Sequence, residues 1–127
     1  MKKLSFSLIL LILLSSCLFS KGESYKIISM DEAKALMEES EGYILLDVRT
    51  KEEYESGYIP GAINIPLSDI NENVVSSLPD KSQMILVYCR SGNRSRQASD
   101  KLSKLGYTNI IEIGGINSWK GEIIKID

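Results

Sequence analysis

Two short apolar runs constrain this chain more than anything else in it. "YILLD", residues 43–47, and "MILVY", residues 84–88, are almost unbroken stretches of large hydrophobes. A strand with one wet face alternates polar and apolar residues, whereas a strand covered on both faces does not. Both runs therefore read as inner strands of a parallel sheet, whose connections must be long enough to hold helices. The sequence before, between and after the two runs supplies helical segments. Ser29 with Glu32, and Thr50 with Glu53, each have the capping-box spacing that opens a helix. Ala33, Leu36 and Met37 share one face of the first helix, which Gly42 ends, and the second is short and stops near Gly57. Ile70, Val74 and Leu78 recur at helical spacing before Pro79 and predict a third, and Ala98, Leu102 and Leu105 mark a fourth over 95–105, closed by Gly106. "YKIIS" (25–29), a short segment at 62–65 and "IIEI" (110–113) add strands, and "GGINSWKG" reads as a glycine turn into a short helix carrying a core Trp119. Alternating strands and helices give an α/β fold, a small doubly wound and mostly parallel sheet flanked by helices.

Residues 1–16 stand apart from this pattern. Lys2 and Lys3 precede an apolar run from Leu4 to Leu14, and serines precede Cys17. That is the grammar of an export signal, too short for a comfortable membrane span. The ending "LSSC" resembles the lipobox of bacterial lipoproteins, which implies cleavage before Cys17 and acylation of its thiol. A membrane anchor at Cys17 and a location in the cell envelope, periplasmic or on the outer surface, follow as expectations. An ordinary cleaved signal with an incidental cysteine is the plainer alternative. Residues 17–24 would then be a lipidated start and polar tether, and 25–127 a single domain.

Removing residues 1–16 takes away two lysines and leaves 13 basic against 17 acidic residues, a balance of −4. That argues against nucleic acid as a partner. With no histidine and two cysteines in 127 residues, zinc sites, Ser-His-Asp chemistry and a disulfide framework all drop out. No metal or cofactor is called for.

Against this acidic background, "LVYCRSGNRSR" (86–96) concentrates Arg90, Arg94 and Arg96 around Cys89, a pattern suited to a small anion. Cys89 ends an inner strand, where ligands bind in open α/β sheets. Glycine and asparagine in the loop tolerate unusual dihedrals, so several N–H groups can turn inward as an anion nest, continued by the free N–H groups of the helix that begins near Ser95. A free thiol has a pKa of about 8.5 and must fall by roughly two units to ionise at neutral pH. That requires about 2.7 kcal/mol. A helix N-terminus contributes ~0.3–1 kcal/mol and ~2 at best. Inward amides and the charges of Arg90 and Arg94 must supply the rest, and no histidine is then needed. The bland reading is a small buried hydrophobe at a strand end. Arg96, just inside the helix, points to solvent.

"LLDVRTKEEYESGYIPGAINIP" followed by "ILVYCRSGNRSRQASDKLSKLGYTNIIEIGGINSW" resembles the single-domain rhodaneses, or thiosulfate sulfurtransferases. Three blocks in order carry the likeness: Asp47–Arg49, Gly57–Pro66, and the cysteine loop with its following glycine pair and Trp119. The resemblance implies a rhodanese-like fold with Cys89 as nucleophile. It also implies an active loop of Cys89, Arg90, Ser91, Gly92, Asn93 and Arg94, with Ser95 completing the substrate-binding set. Cys89 would take a sulfane sulfur from thiosulfate or a similar donor as a persulfide, then pass it to a thiol or cyanide-like acceptor. The basic loop is more like thiosulfate-using members than mercaptopyruvate-using ones. Asp47 and Arg49 would brace the site, although a local Arg49–Glu53 pair is the favoured structural reading of that arginine. Tyr58 stands where the family often has histidine.

Phosphatases also use a cysteine loop, but need Cys-x5-Arg, and that position here is Ser95. The rival from another class is a persulfide carrier or partner-binding module that turns over poorly alone. No resolving cysteine accompanies Cys89, which weakens a redox role.

Overall fold

The structure is a computed structural model that describes residues 24–127. The expected signal segment, the expected lipidation site Cys17 and tether residues 17–23 lie outside the described residues. In chain order the elements are β1 (Lys26–Ile27), α1 (Met30–Glu39), β2 (Ile44–Asp47), α2 (Lys51–Glu55), β3 (Ile63–Asn64), β4 (Ile85–Cys89), α3 (Asn93–Lys104) and β5 (Ile110–Gly115). The strands form one sheet in the order β1-β5-β4-β2-β3 with every neighbouring pair parallel. The two apolar runs seen in the sequence, β2 and β4, are adjacent inner strands.

Alternation along those strands divides the core in two. Ile85, Val87 and Cys89 of β4 pack with Leu46 and Ile110 against Ala98 and Leu102 of α3. Leu86 and Tyr88 pack with Leu45, Ile111 and Ile113 against Met30 and Ala33 of α1. All five residues of β4 are buried, which is why its sequence shows no polar alternation. Both expected capping boxes are formed, Ser29 with Glu32 and Thr50 with Glu53.

Four elements depart from the sequence reading. Residues 70–78 form no α-helix: 3-10 turns at Leu67–Asp69 and Glu72–Ser76 replace it. The Asn71 side chain accepts from the Asn73 amide at 2.9 Å, and the Ser76 hydroxyl donates to the Asn73 carbonyl at 2.9 Å. Such local bonds compete with the helical ladder. Ile70, Val74 and Leu78 are nevertheless buried, so the spacing identified the core face and not the helix type. The first strand shrinks to two residues at the sheet edge, and α3 begins at Asn93, two residues early. The expected helix around Trp119 is a 3-10 turn at Ile116–Ser118. Trp119 lies half-buried at the margin of the second core cluster, with its indole N–H donating to the Glu122 carbonyl at 2.9 Å. Tyr58 stacks on Tyr54 with ring centroids 4.3 Å apart, which accounts for its packing without a histidine.

Candidate active site

Cys89 is the last residue of β4, and the chain reverses over it into α3 within three residues. The reversal needs Gly92, the N-cap of α3, at φ 108°, in the left-handed region where a side chain is strained. With that turn made, the Gly92 amide donates to the Cys89 sulfur at 3.0 Å and the Ser95 hydroxyl lies 3.4 Å from it. Burial raises the thiol pKa, but the Ser95 hydroxyl and the amides of Ser95, Gly92 and Ser91 outweigh it, and the net shift is downward. The residue itself is 1 % exposed, directly beneath the exposed Arg90, Ser91 and Asn93.

The end of β5 holds the loop from the other side. Cys89 pairs with Gly115 across a register shift in β4, and the Asn117 amide donates to the Arg90 carbonyl at 3.2 Å. A Cβ on Gly115 would fall 2.0 Å from the Arg90 carbonyl oxygen and 2.5 Å from the Ser91 Cα. Gly115→Ala must therefore move the loop, a cost of about 1–3 kcal/mol for overpacking. Retained secondary structure by circular dichroism, with the Cys89 pKa raised toward that of a free thiol, is the expected result.

Arg90 and Arg94 converge on one carboxylate. Arg94 donates to the two Glu53 oxygens at 2.6 and 3.0 Å, and Arg90 donates to Glu53 Oε2 from Nε at 3.1 Å and Nη2 at 2.8 Å. The Arg94 guanidinium, foremost, holds the Glu53 carboxyl far below the usual carboxylate range. Their charges, expected to lower the thiol pKa directly, are thus partly offset, and hydroxyl and amide dipoles take the larger part. Arg96 is exposed, as read from its place in the helix.

The favoured Arg49–Glu53 pair is not formed. Arg49 instead clamps Asp47, with Nη2 2.6 Å from Oδ2 and Nε 3.1 Å from each oxygen, and donates to the Gly57 carbonyl at 2.7 Å. The capping box explains the exchange: Glu53 turns back to the Thr50 amide at 3.1 Å and faces the cysteine loop, leaving Arg49 to the buried carboxylate at the strand end. Asp47 and Arg49 are 0 % and 3 % exposed. Asn64 donates to both their carbonyls, at 3.0 and 2.9 Å. This lattice fixes the start of α2, and α2 carries Glu53 to the arginines. Asp47 and Arg49 thus reach the loop through Glu53.

Sequence reasoning missed the Glu53 contact and a second carboxylate, Glu112, whose Oε1 accepts from the Ser95 hydroxyl at 2.5 Å and the Gly114 amide at 2.9 Å. A charge inside the apolar "IIEI" was the available signal. Among the described residues no cluster of His, Cys, Asp and Glu could hold a metal ion.

Comparison with known proteins places this geometry in a family. Residues 29–122 match the model of the rhodanese-like domain. The chain belongs to the rhodanese family. This rhodanese is 42% identical over 71 residues to the thiosulfate sulfurtransferase PspE of Escherichia coli K12, covering 56% of this chain and 68% of that protein. It is 33% identical over 96 residues to the putative sulfur carrier protein YrkF of Bacillus subtilis, covering 75% of this chain and 51% of that one. It spans about half or less of the longer relatives it matches. Among solved structures, a rhodanese from E. coli described with anions superposes with a TM-score of 0.61 at 37% identity, covering 65% of this chain and 98% of the other.

Proposed function

We propose that this rhodanese is a thiosulfate-type sulfurtransferase that carries sulfur on Cys89. The observation that carries the reading is the sulfur itself, held at a strand end by the Gly92 amide and the Ser95 hydroxyl beneath two arginines. The thiolate attacks the outer sulfur of thiosulfate; a sulfur–sulfur bond forms, and the bond to the sulfite sulfur breaks with its electron pair leaving as sulfite. The persulfide anion takes over the amides that held the thiolate. An acceptor anion, cyanide or a thiolate, then attacks the terminal sulfur, and the Cys89 thiolate is restored. Thiosulfate is small and doubly charged, which suits a nearly buried sulfur beneath a basic rim. Conversion of thiosulfate and cyanide to thiocyanate by the purified protein tests this, and a chromogenic phosphate ester should remain uncleaved.

The likeness to YrkF favours a second reading, a persulfide carrier for a partner protein. Persulfide formed without steady turnover would select the carrier. The expected lipid anchor belongs to the same proposal and rests on the sequence around Cys17: full-length protein should fractionate with membranes and Cys17→Ser should not.

Glu53 offsets part of the arginine charge that an anionic donor would meet. Glu53→Gln keeps the capping geometry and removes the charge. The KM for thiosulfate is expected to fall about two- to fivefold, the scale of an exposed ion pair of ~0.4–1 kcal/mol. A higher KM would instead show that Glu53 holds the arginines in place for the donor.

A further inference from the structure

Glu112 interrupts the apolar run of β5 and is 1 % exposed. None of the ion pairs among the described residues includes it. A buried carboxylate without a cation is costly, and its hydrogen bonds come from one hydroxyl and one amide. That hydroxyl belongs to Ser95, which also lies 3.4 Å from the Cys89 sulfur. Its carbonyl neighbours are Gly92 at 3.0 Å and Gly114 at 3.3 Å. A hydroxyl carries a single proton, so it cannot donate to the carboxylate and to the sulfur together. The 2.5 Å contact with Glu112 has the length of a hydroxyl donating to an anion, which leaves the thiol to donate to Ser95.

We propose that Cys89 and Glu112 share one proton through the Ser95 hydroxyl, which makes Glu112 the internal proton acceptor in a chain that has no histidine. In the step, the S–H bond of Cys89 breaks and its proton passes to Ser95 Oγ. The Ser95 O–H bond breaks as its own proton passes to Glu112 Oε1. Before the step the pair is a thiol and a carboxylate; after it, a thiolate faced by the Ser95 O–H and the Gly92 N–H, and a neutral carboxyl. One negative charge is present throughout and no outside reactant enters. Losing a second proton would set two anions on either side of one hydroxyl, and is opposed.

The other charges nearby form no ion pair with Glu112. Asp31 at the start of α1 and Lys120 beyond β5 pair with each other at 3.1 Å, and with Arg96 of α3 they line the cavity of about 490 Å³ that Glu112 also borders. Above the sulfur, Arg90 and Arg94 are engaged by Glu53, and Asp47 is engaged by Arg49.

The inference rests on the reading of Cys89 as the reactive thiol, but its test involves no sulfur transfer. The rate of Cys89 alkylation by iodoacetamide is followed against pH in the full chain, with the modified peptide resolved by mass so that Cys17 does not contribute. Wild type is expected to rise in two steps separated by a plateau. Glu112→Gln should collapse these to one step, reacting roughly two- to tenfold faster at the pH of the wild-type plateau, since the glutamine stands in for the neutral carboxyl. Ser95→Ala should also give one step, displaced to higher pH by loss of the hydroxyl that faces the thiolate. A single step in wild type would overturn the proposal even if neither variant folded, and so would a Glu112→Gln midpoint at or above the upper of the two wild-type steps. Sulfurtransferase failure with an intact two-step profile would count against the proposed function alone.

Discussion

Cys89→Ser is expected to take sulfur transfer to background, a loss on the order of 10⁴-fold or more, as when a covalent nucleophile is deleted. The substitution leaves space and hydrogen-bonding geometry nearly intact: the Gly92 amide can donate to an oxygen as it does to sulfur at 3.0 Å. What disappears is the acidity of the group and its ability to form a sulfur–sulfur bond. Thermal unfolding should change little, because the side chain is small and the core around it, Val87, Ala98 and Leu102, remains packed. Parallel assays of thiocyanate formation and melting temperature check both halves. Transfer that persisted would place the reacting thiol elsewhere, and Cys17 is the remaining cysteine.

Asp47→Ala is expected to have the largest effect on stability. Arg49 would keep its bond to the Gly57 carbonyl, but would be left buried with no counter-charge. Breaking one side of a buried ion pair costs about 3–5 kcal/mol. Small domains have about 5–15 kcal/mol in all, so a large share of the folded state's margin is lost. Urea unfolding should show the midpoint fall with an unchanged slope. Replacing both partners with apolar residues of similar size, Asp47→Leu with Arg49→Met, should recover most of the loss, since the uncompensated charge is then gone.

The parts of this molecule legible in its sequence are those set by local pattern. Burial on both faces wrote β2 and β4 as unbroken apolar runs, and the capping spacings of Ser29 and Thr50 marked two helix starts. Cys89 at a strand end before a glycine turn was visible for the same reason. Long-range pairing was not. Glu53 meets Arg94 across 41 residues, and Ser95 meets Glu112 across 17, because the sheet order places β2 and β5 on either side of β4. Local reasoning assigned Arg49 to Glu53, four residues away, whereas the bend after β2 turned it back onto Asp47. Residues 70–78 show the complementary limit: spacing marked which side chains are buried, while Asn71 and Ser76 decided the backbone.

The most direct measurement is the intact mass of the protein before and after thiosulfate. A gain of one sulfur atom that maps to Cys89 and is removed by cyanide is the expected result. An unchanged mass in folded protein would contradict the idea that this loop holds a sulfur-accepting thiolate.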